Sequence, residues 1–174
     1  FNVLLDTTIE KLYILNGVLK KWKQENKVLT SKKTNVVKSN YKAFKKDNYI
    51  FKIGQINENI NSNNFVVVDA RSLKRFNGEI EEPRKGLRKG HIKNSLCLPY
   101  SECINQATNE FKTNYELKLI FEEIIKTRNN NKFVFTCGSG VTASVLAYAY
   151  KMINNEYEPI IYDGSWSEYG KYSP

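Results

Sequence analysis

Phe133-Val134-Phe135-Thr136-Cys137-Gly138-Ser139-Gly140-Val141-Thr142-Ala143 is the stretch that decides how this chain folds. Residues 133–135 are apolar on both faces, which suits a strand buried inside a parallel sheet. Residues 141–153, rich in Ala, Val, Leu and Tyr, read as a helix. Only a short loop fits between them. A strand that passes through such a loop into a helix aims backbone N–H groups, and the positive end of the helix dipole, at whatever sits in the turn, so the loop favours an anion. Gly138 and Gly140 permit backbone angles that let the N–H groups close around one atom. If that atom is the Cys137 sulfur, a thiolate or a persulfide on it is stabilised without a neighbouring base, since the single histidine, His91, is far away in sequence. The other reading of Cys137 is a buried structural cysteine, because free cysteine is among the most buried residue types.

Outward from this loop the same alternation repeats. Towards the N-terminus, Ile53, Ile56 and Ile60 share one helical face, and an Asn-rich turn at 61–64 leads into a second strand apolar on both faces, 65–68, which Asp69 ends. A short helix is expected at 71–76. The segment 77–90, broken by Gly78, Pro83, Gly86 and Gly90, is expected to be a loop. Residues 95–98 read as a strand stopped by Pro99, and 114–126 as an amphipathic helix through Leu117, Ile120, Phe121, Ile124 and Ile125. Beyond the central helix, 160–162 is a final strand closed by Asp163-Gly164. The series predicts an α/β domain with a central parallel β-sheet flanked by helices.

The N-terminal part is organised differently. Residues 12–15 read as a strand, Asn16-Gly17 as a turn and 18–25 as a short helix, whereas 26–40 carry no periodic apolar pattern and read as a polar linker to a domain at 41–174. Tyr13-Ile14-Leu15-Asn16-Gly17 followed by Trp22 is similar to Ile161-Tyr162-Asp163-Gly164 followed by Trp166 and Tyr169. Either two domains of one kind end this way, making residues 1–25 the tail of a first domain, or a common strand-turn-helix pattern has arisen twice by chance.

Composition bounds what the chain does. With 174 residues, 41% apolar and 13% aromatic, it holds enough apolar material for one ordinary core. The net charge of +9 comes largely from residues 20–46, where lysines alternate with Asn, Ser and Thr; this is a solvated face and not a nucleic-acid platform. No stretch approaches the roughly 18 to 20 apolar residues of a membrane helix, so no membrane partner is expected. The chain starts at Phe1, so an earlier targeting segment remains open. Three cysteines with no C-x-x-C pair form neither a disulfide framework nor a zinc site, which fits a free-thiol protein of a reducing compartment.

The loop 137–143 resembles the active-site loop of rhodanese-family sulfurtransferases, in particular the two-domain 3-mercaptopyruvate branch. Val68-Asp69-Ala70-Arg71, Arg75-Phe76 with Glu82-Pro83-Arg84, Gly90-His91-Ile92 and Tyr162-Asp163-Gly164-Ser165-Trp166-Ser167-Glu168 match in order, so the resemblance covers 65–170. Segment 12–22 resembles the end of the family's first, non-catalytic domain. The resemblance implies a rhodanese-like domain in which Cys137 takes sulfur from 3-mercaptopyruvate as a persulfide and passes it to a thiol such as thioredoxin, or to cyanide, releasing pyruvate with no metal or organic cofactor. It makes Arg75 and Arg84 substrate-binding, with Gly138, Gly140, Val141 and Thr142 forming the anion-binding loop. By residue type alone both arginines would face solvent. Ser139 matches a serine proposed to relay a proton, whose Asp and His partners belong to the first domain. Gly138 and Ser139 stand where the thiosulfate-preferring branch usually carries Arg and Lys, which favours mercaptopyruvate over thiosulfate.

Other readings fit the same residues. A Cys-dependent phosphatase on a related fold would need Arg where Ala143 stands. A rhodanese-like module kept for sulfur relay or protein binding would need no turnover. Thr142 is expected either to cap the following helix or to hydrogen-bond within the loop. His91 is expected to be a buried structural imidazole, Asp69 to cap or pin the loop beside the site, and Trp166 and Tyr169 to pack the final helix on the core, with 163–168 as an alternative lining of the active-site rim. Cys97 is expected in the core, and Cys103 to be the more reactive of the two.

Overall fold

The computed structural model describes residues 13–40, 42, 48–126 and 132–171. Five parallel strands, β1 (Ile50–Phe51), β2 (Val66–Asp69), β3 (Leu96–Cys97), β4 (Phe133–Thr136) and β5 (Ile160–Tyr162), make one sheet in the order β1-β5-β4-β2-β3. The expected α/β fold with a central parallel sheet is therefore present. The longest pairing, β2 with β4, matches Val66 to Phe133 through Asp69 to Thr136.

Side chains alternate across these strands into two cores. Val66, Val68, Phe133, Phe135 and Ile161 point to one face, covered by α4 (Asn114–Ile125) and α5 (Ala143–Ile153) through Leu117, Phe121, Leu146 and Ala147. Val67, Val134, Ile160 and Tyr162 point to the other, against Ile56 of α2 (Ile53–Ser62) and Trp166 of α6 (Ser165–Tyr169). Burial on both faces explains why β2 and β4 read as unbroken apolar runs, and each large side chain so buried contributes about 1.5–3 kcal/mol. Helix α4 starts on a capping box, with Thr113 Oγ1 accepting from the Glu116 N–H and the Glu116 carboxylate accepting from the Thr113 N–H.

Two elements escaped the sequence. Strand β1 has two residues, too few to show alternation, and is defined by pairing with Ile161 and Tyr162. A 3₁₀ turn, Tyr100–Cys103, follows Pro99. Other elements differ in extent. The strand expected at 95–98 shrinks to two residues because Ser95 directs both its N–H and its hydroxyl to the Ile92 carbonyl. The helix expected from 141 begins at Ala143, the two preceding residues forming the turn out of the loop.

At the N-terminus, Leu12 lies outside the described residues, and Tyr13, Ile14 and Leu15 are exposed and form no strand. The Asn16-Gly17 turn and the helix α1 (Val18–Gln24) do form. Helix α1 buries none of its residues and touches the domain through polar contacts, Lys21 with Glu110 and Asn16 Oδ1 with the Phe111 N–H. Residues 26–40 are exposed and without regular structure. A short helix, α3 (Leu73–Phe76), follows β2.

The chain order places a crevice. After β2 the chain moves outward to β3, whereas after β4 it moves the opposite way to β5, so the loops leaving the carboxyl ends of these adjacent strands diverge. In open α/β sheets that divergence is where ligands bind.

Candidate active site

Cys137 follows directly from β4 at this divergence. The loop 137–140 lies against the start of α6, and hydrogen bonds from three consecutive residues hold it. Ser165 Oγ accepts from the Cys137 N–H at 3.2 Å and from the Gly140 N–H at 2.9 Å, and donates to the Tyr162 carbonyl at 2.8 Å. The Trp166 N–H donates to the Cys137 carbonyl at 2.9 Å, and the Ser167 N–H to the Gly138 carbonyl at 3.0 Å. With the carbonyls pulled back, the Ser139 N–H is left to donate to Cys137 Sγ at 3.4 Å. The nest expected around the sulfur is thus shared: Ser139 serves the sulfur, while the Gly140 amide serves Ser165. Among the described residues the N–H groups of Gly138, Val141 and Thr142 make no intramolecular hydrogen bond, which leaves them for an anion.

Gly140 has φ +81°, and a Cβ there would lie 2.6 Å from Asp163 Oδ1 and 3.0 Å from the Asp163 carbonyl oxygen. Only glycine fits. At Gly138 a Cβ would lie 2.9 Å from Arg75 Nη2, so the Arg75 guanidinium stands where a side chain at 138 would begin. Val141 is exposed, Ser139 and Thr142 half-buried, and Cys137 itself is only 2% exposed.

Arg75 is held there by a chain of alternating charges. Asp69, at the end of β2, accepts from the Arg71 side chain at 2.7 Å and from its N–H at 2.9 Å. Arg71 donates to Glu82 at 2.8 Å, and Glu82 accepts from Arg75 through both carboxylate oxygens, at 3.2 and 2.5 Å. Arg71 also lies over Trp166, 4.4 Å from the ring centroid. Asp69, Arg71 and Glu82 are buried, and each charge is paired, as burial requires. Asp69 therefore pins a network reaching the loop through Arg75. The structure thus brings Arg75, Cys137, Gly138, Ser139 and Gly140 together. Arg84 is exposed in the loop after Glu82 and has no ion pair or hydrogen bond among the described residues.

Several expectations are corrected. Thr142 precedes α5 with helical backbone angles and makes no capping bond, so the capping role does not hold. His91 stacks on Phe76 at 3.9 Å and its Nδ1 pairs with the Phe76 carbonyl, but it is exposed, not buried. Cys103 is enclosed in the core, where burial pushes its thiol up to about 12; it is not a reactive site. Cys97 is half-buried against the Arg71 carbonyl, and burial likewise pushes it up to about 12. Trp166 and Tyr169 pack on the core as expected. Sequence reading missed the roles of Ser165, Arg71 and Glu82, although all three stood in the quoted motifs; the signal for Ser165 and Glu82 was a polar residue beside Trp166 and Pro83, and Arg71 carried none beyond its place after the strand end.

A parallel α/β sheet presenting a cysteine in an amide-lined loop, beside a buried run of alternating charges, defines the class of protein. The rhodanese-like domain family model matches residues 53–172, and the chain belongs to this family. It is 33% identical over 162 residues to the 3-mercaptopyruvate sulfurtransferase of Escherichia coli (strain K12), covering 93% of this chain and 56% of that protein. To the 3-mercaptopyruvate sulfurtransferase of Homo sapiens it is 35% identical over 156 residues, covering 90% and 52%. The chain therefore spans about half the length of these curated relatives. The crystal structure of the Escherichia coli 3-mercaptopyruvate sulfotransferase SseA superposes with a TM-score of 0.78 at 30% identity, over 96% of this chain and 61% of that one.

Proposed function

We propose that this chain is the catalytic part of a sulfurtransferase that carries sulfur on Cys137, with 3-mercaptopyruvate as donor. The observation that carries the reading is the Cys137 sulfur facing the Ser139 N–H in a loop with further unspent amides, at the carboxyl end of β4 and beside Arg75. The names of the relatives point the same way.

In the first half-reaction the Cys137 thiolate attacks the sulfur of 3-mercaptopyruvate. An S–S bond forms, the C–S bond breaks, and its electron pair leaves on carbon as the pyruvate enolate, which then takes a proton. A persulfide remains on Cys137. In the second, an acceptor thiolate such as that of thioredoxin attacks the outer sulfur and restores the Cys137 thiolate. Arg75 and Arg84 hold the substrate carboxylate and the developing enolate, and Gly138, Gly140, Val141 and Thr142 line the sulfur. Gly138 and Ser139 bring no cation of their own to the loop, where the thiosulfate-preferring branch usually carries Arg and Lys, and this favours mercaptopyruvate over thiosulfate.

Ser139 would relay a proton with groups from a preceding rhodanese-like domain, of which residues 1–25 form the tail and 26–40 the linker to the domain at 41–174. In support, the residue after Gly has a left-handed backbone in both similar segments, φ +44° at Val18 and +51° at Ser165.

Incubation with 3-mercaptopyruvate followed by intact mass measurement is expected to show one added sulfur atom per chain, lost in Cys137→Ser. An adduct surviving in that variant rejects Cys137 as carrier, and an adduct formed only with thiosulfate rejects the donor. Arg75→Ala and Arg84→Ala should each raise KM for 3-mercaptopyruvate about 10- to 100-fold, the effect of losing a charge-assisted hydrogen bond. Unchanged pyruvate release at low substrate would remove that arginine from the site.

A further inference from the structure

The bonds that hold the nucleophile loop converge on a side chain that makes no hydrogen bond to the sulfur itself. Ser165 is fully buried and sits at φ +51°, a left-handed conformation that a non-glycine residue adopts at a cost. Its hydroxyl has one proton and two lone pairs. The proton goes to the Tyr162 carbonyl, which fixes the hydroxyl to the end of β5. The lone pairs accept from the Cys137 and Gly140 N–H groups, the first and last residues of the loop. Thr136 Oγ1 lies at 3.3 Å, a longer contact.

One oxygen thereby sets the span of the loop. The next two amides of α6 fix its inner carbonyls, and the peptide planes turn so that the Ser139 N–H faces Cys137 Sγ. Buried amide groups that lose their acceptor are costly to leave unpaired, so the loop would rotate to find other partners.

We infer that Ser165 is the positioning residue of the nucleophile loop, its buried hydroxyl holding the Cys137 and Gly140 amides so that the Ser139 amide is aimed at the sulfur. The left-handed backbone at 165 is what carries the hydroxyl under the loop. This role takes from the proposed function only that Cys137 is the nucleophile.

The test is alkylation of the native protein by iodoacetamide from acid to alkaline pH, resolved by peptide mass, in the parent, Ser165→Ala and Ser165→Gly. Both variants lack the hydroxyl, but Ser165→Gly relieves the left-handed backbone and keeps the turn folded. Cys103, fully buried in the core and with its thiol pushed up by burial, reports whether the domain as a whole has opened.

The expected result is that both variants alkylate Cys137 about tenfold more slowly at neutral pH, the worth of roughly one hydrogen bond on the sulfur anion, with the pH profile moved to higher pH and Cys103 still protected. A parent-like rate and profile in Ser165→Gly would overturn the role, since only the backbone of residue 165 would then matter. Loss of Cys103 protection in parallel with the change at Cys137 would overturn it too, because the effect would be global. A parent that gains no sulfur from 3-mercaptopyruvate would reject the sulfurtransferase reading, and the alkylation profiles would still decide for or against Ser165.

Discussion

Gly140→Ala is expected to lower sulfur transfer from 3-mercaptopyruvate at least about 100-fold, because displacement of a reacting group by about an ångström costs that much. Two effects act together. The residue stands at φ +81°, where a side chain costs about 1–2 kcal/mol, and the new methyl would press on Asp163 Oδ1 and, at 3.0 Å, on the Asp163 carbonyl oxygen. The short Asp163 side chain and the backbone it springs from have little freedom to withdraw, since the next residues of that turn hold the loop itself. Overpacking of this kind adds about 1–3 kcal/mol. The chain answers by moving the loop, which breaks the bond from the Gly140 amide to Ser165 and carries Cys137 with it. Gly86→Ala is the control: its φ is +79°, yet nothing lies within 4 Å of the added Cβ. It should lose stability through the backbone cost alone and keep its activity. If Gly140→Ala behaves like Gly86→Ala in both melting and turnover, close approach to Asp163 does not set the loop.

How far the sequence carried the reading depends on the range of the interactions. Strands β2 and β4 were legible because burial on both faces writes an unbroken apolar run, and α4 because its apolar spacing is local. Strand β1 was not, since two residues acquire strand character only from β5, more than 100 residues later in the chain. The same divide runs through the site. The strand-loop-helix pattern around Cys137 could be read from neighbours in sequence, including the need for glycine at 140. The assignment of amides within the loop could not, because the Gly140 N–H is claimed by Ser165, 25 residues away. Arg75 came through family resemblance; that Glu82 grips its guanidinium and links it through Arg71 to Asp69 is a three-dimensional fact. The reactive status expected for Cys103 failed for a related reason: proximity to a turn said nothing of the core that closes over it.

That buried network gives the second large effect, in stability. Arg71→Met removes a cation whose side chain is 0% exposed and leaves the Asp69 and Glu82 carboxylates, 1% and 2% exposed, without their shared partner. Glu82 keeps Arg75, whereas Asp69 loses the side-chain donors from Arg71, so most of the penalty falls on Asp69. Breaking a buried pair by deleting one member costs about 3–5 kcal/mol, and for a domain of this size that lowers Tm by roughly 10–20 °C. The thioether is long enough to fill much of the space over Trp166, so the loss is one of charge pairing more than of volume. The sign with pH follows from the same cause. Unpaired buried carboxylates favour protonation in the folded state over the unfolded one, so the variant's deficit against the parent should narrow as pH falls and widen as it rises. Adding Asp69→Asn to Arg71→Met removes the stranded charge and should recover part of the loss at neutral pH while changing little in acid. A melting deficit of only a degree or two, or one that does not vary with pH, would mean that water or a rearranged side chain compensates Asp69. The β2 end would then not be what holds Glu82, and through it Arg75, against the Cys137 loop.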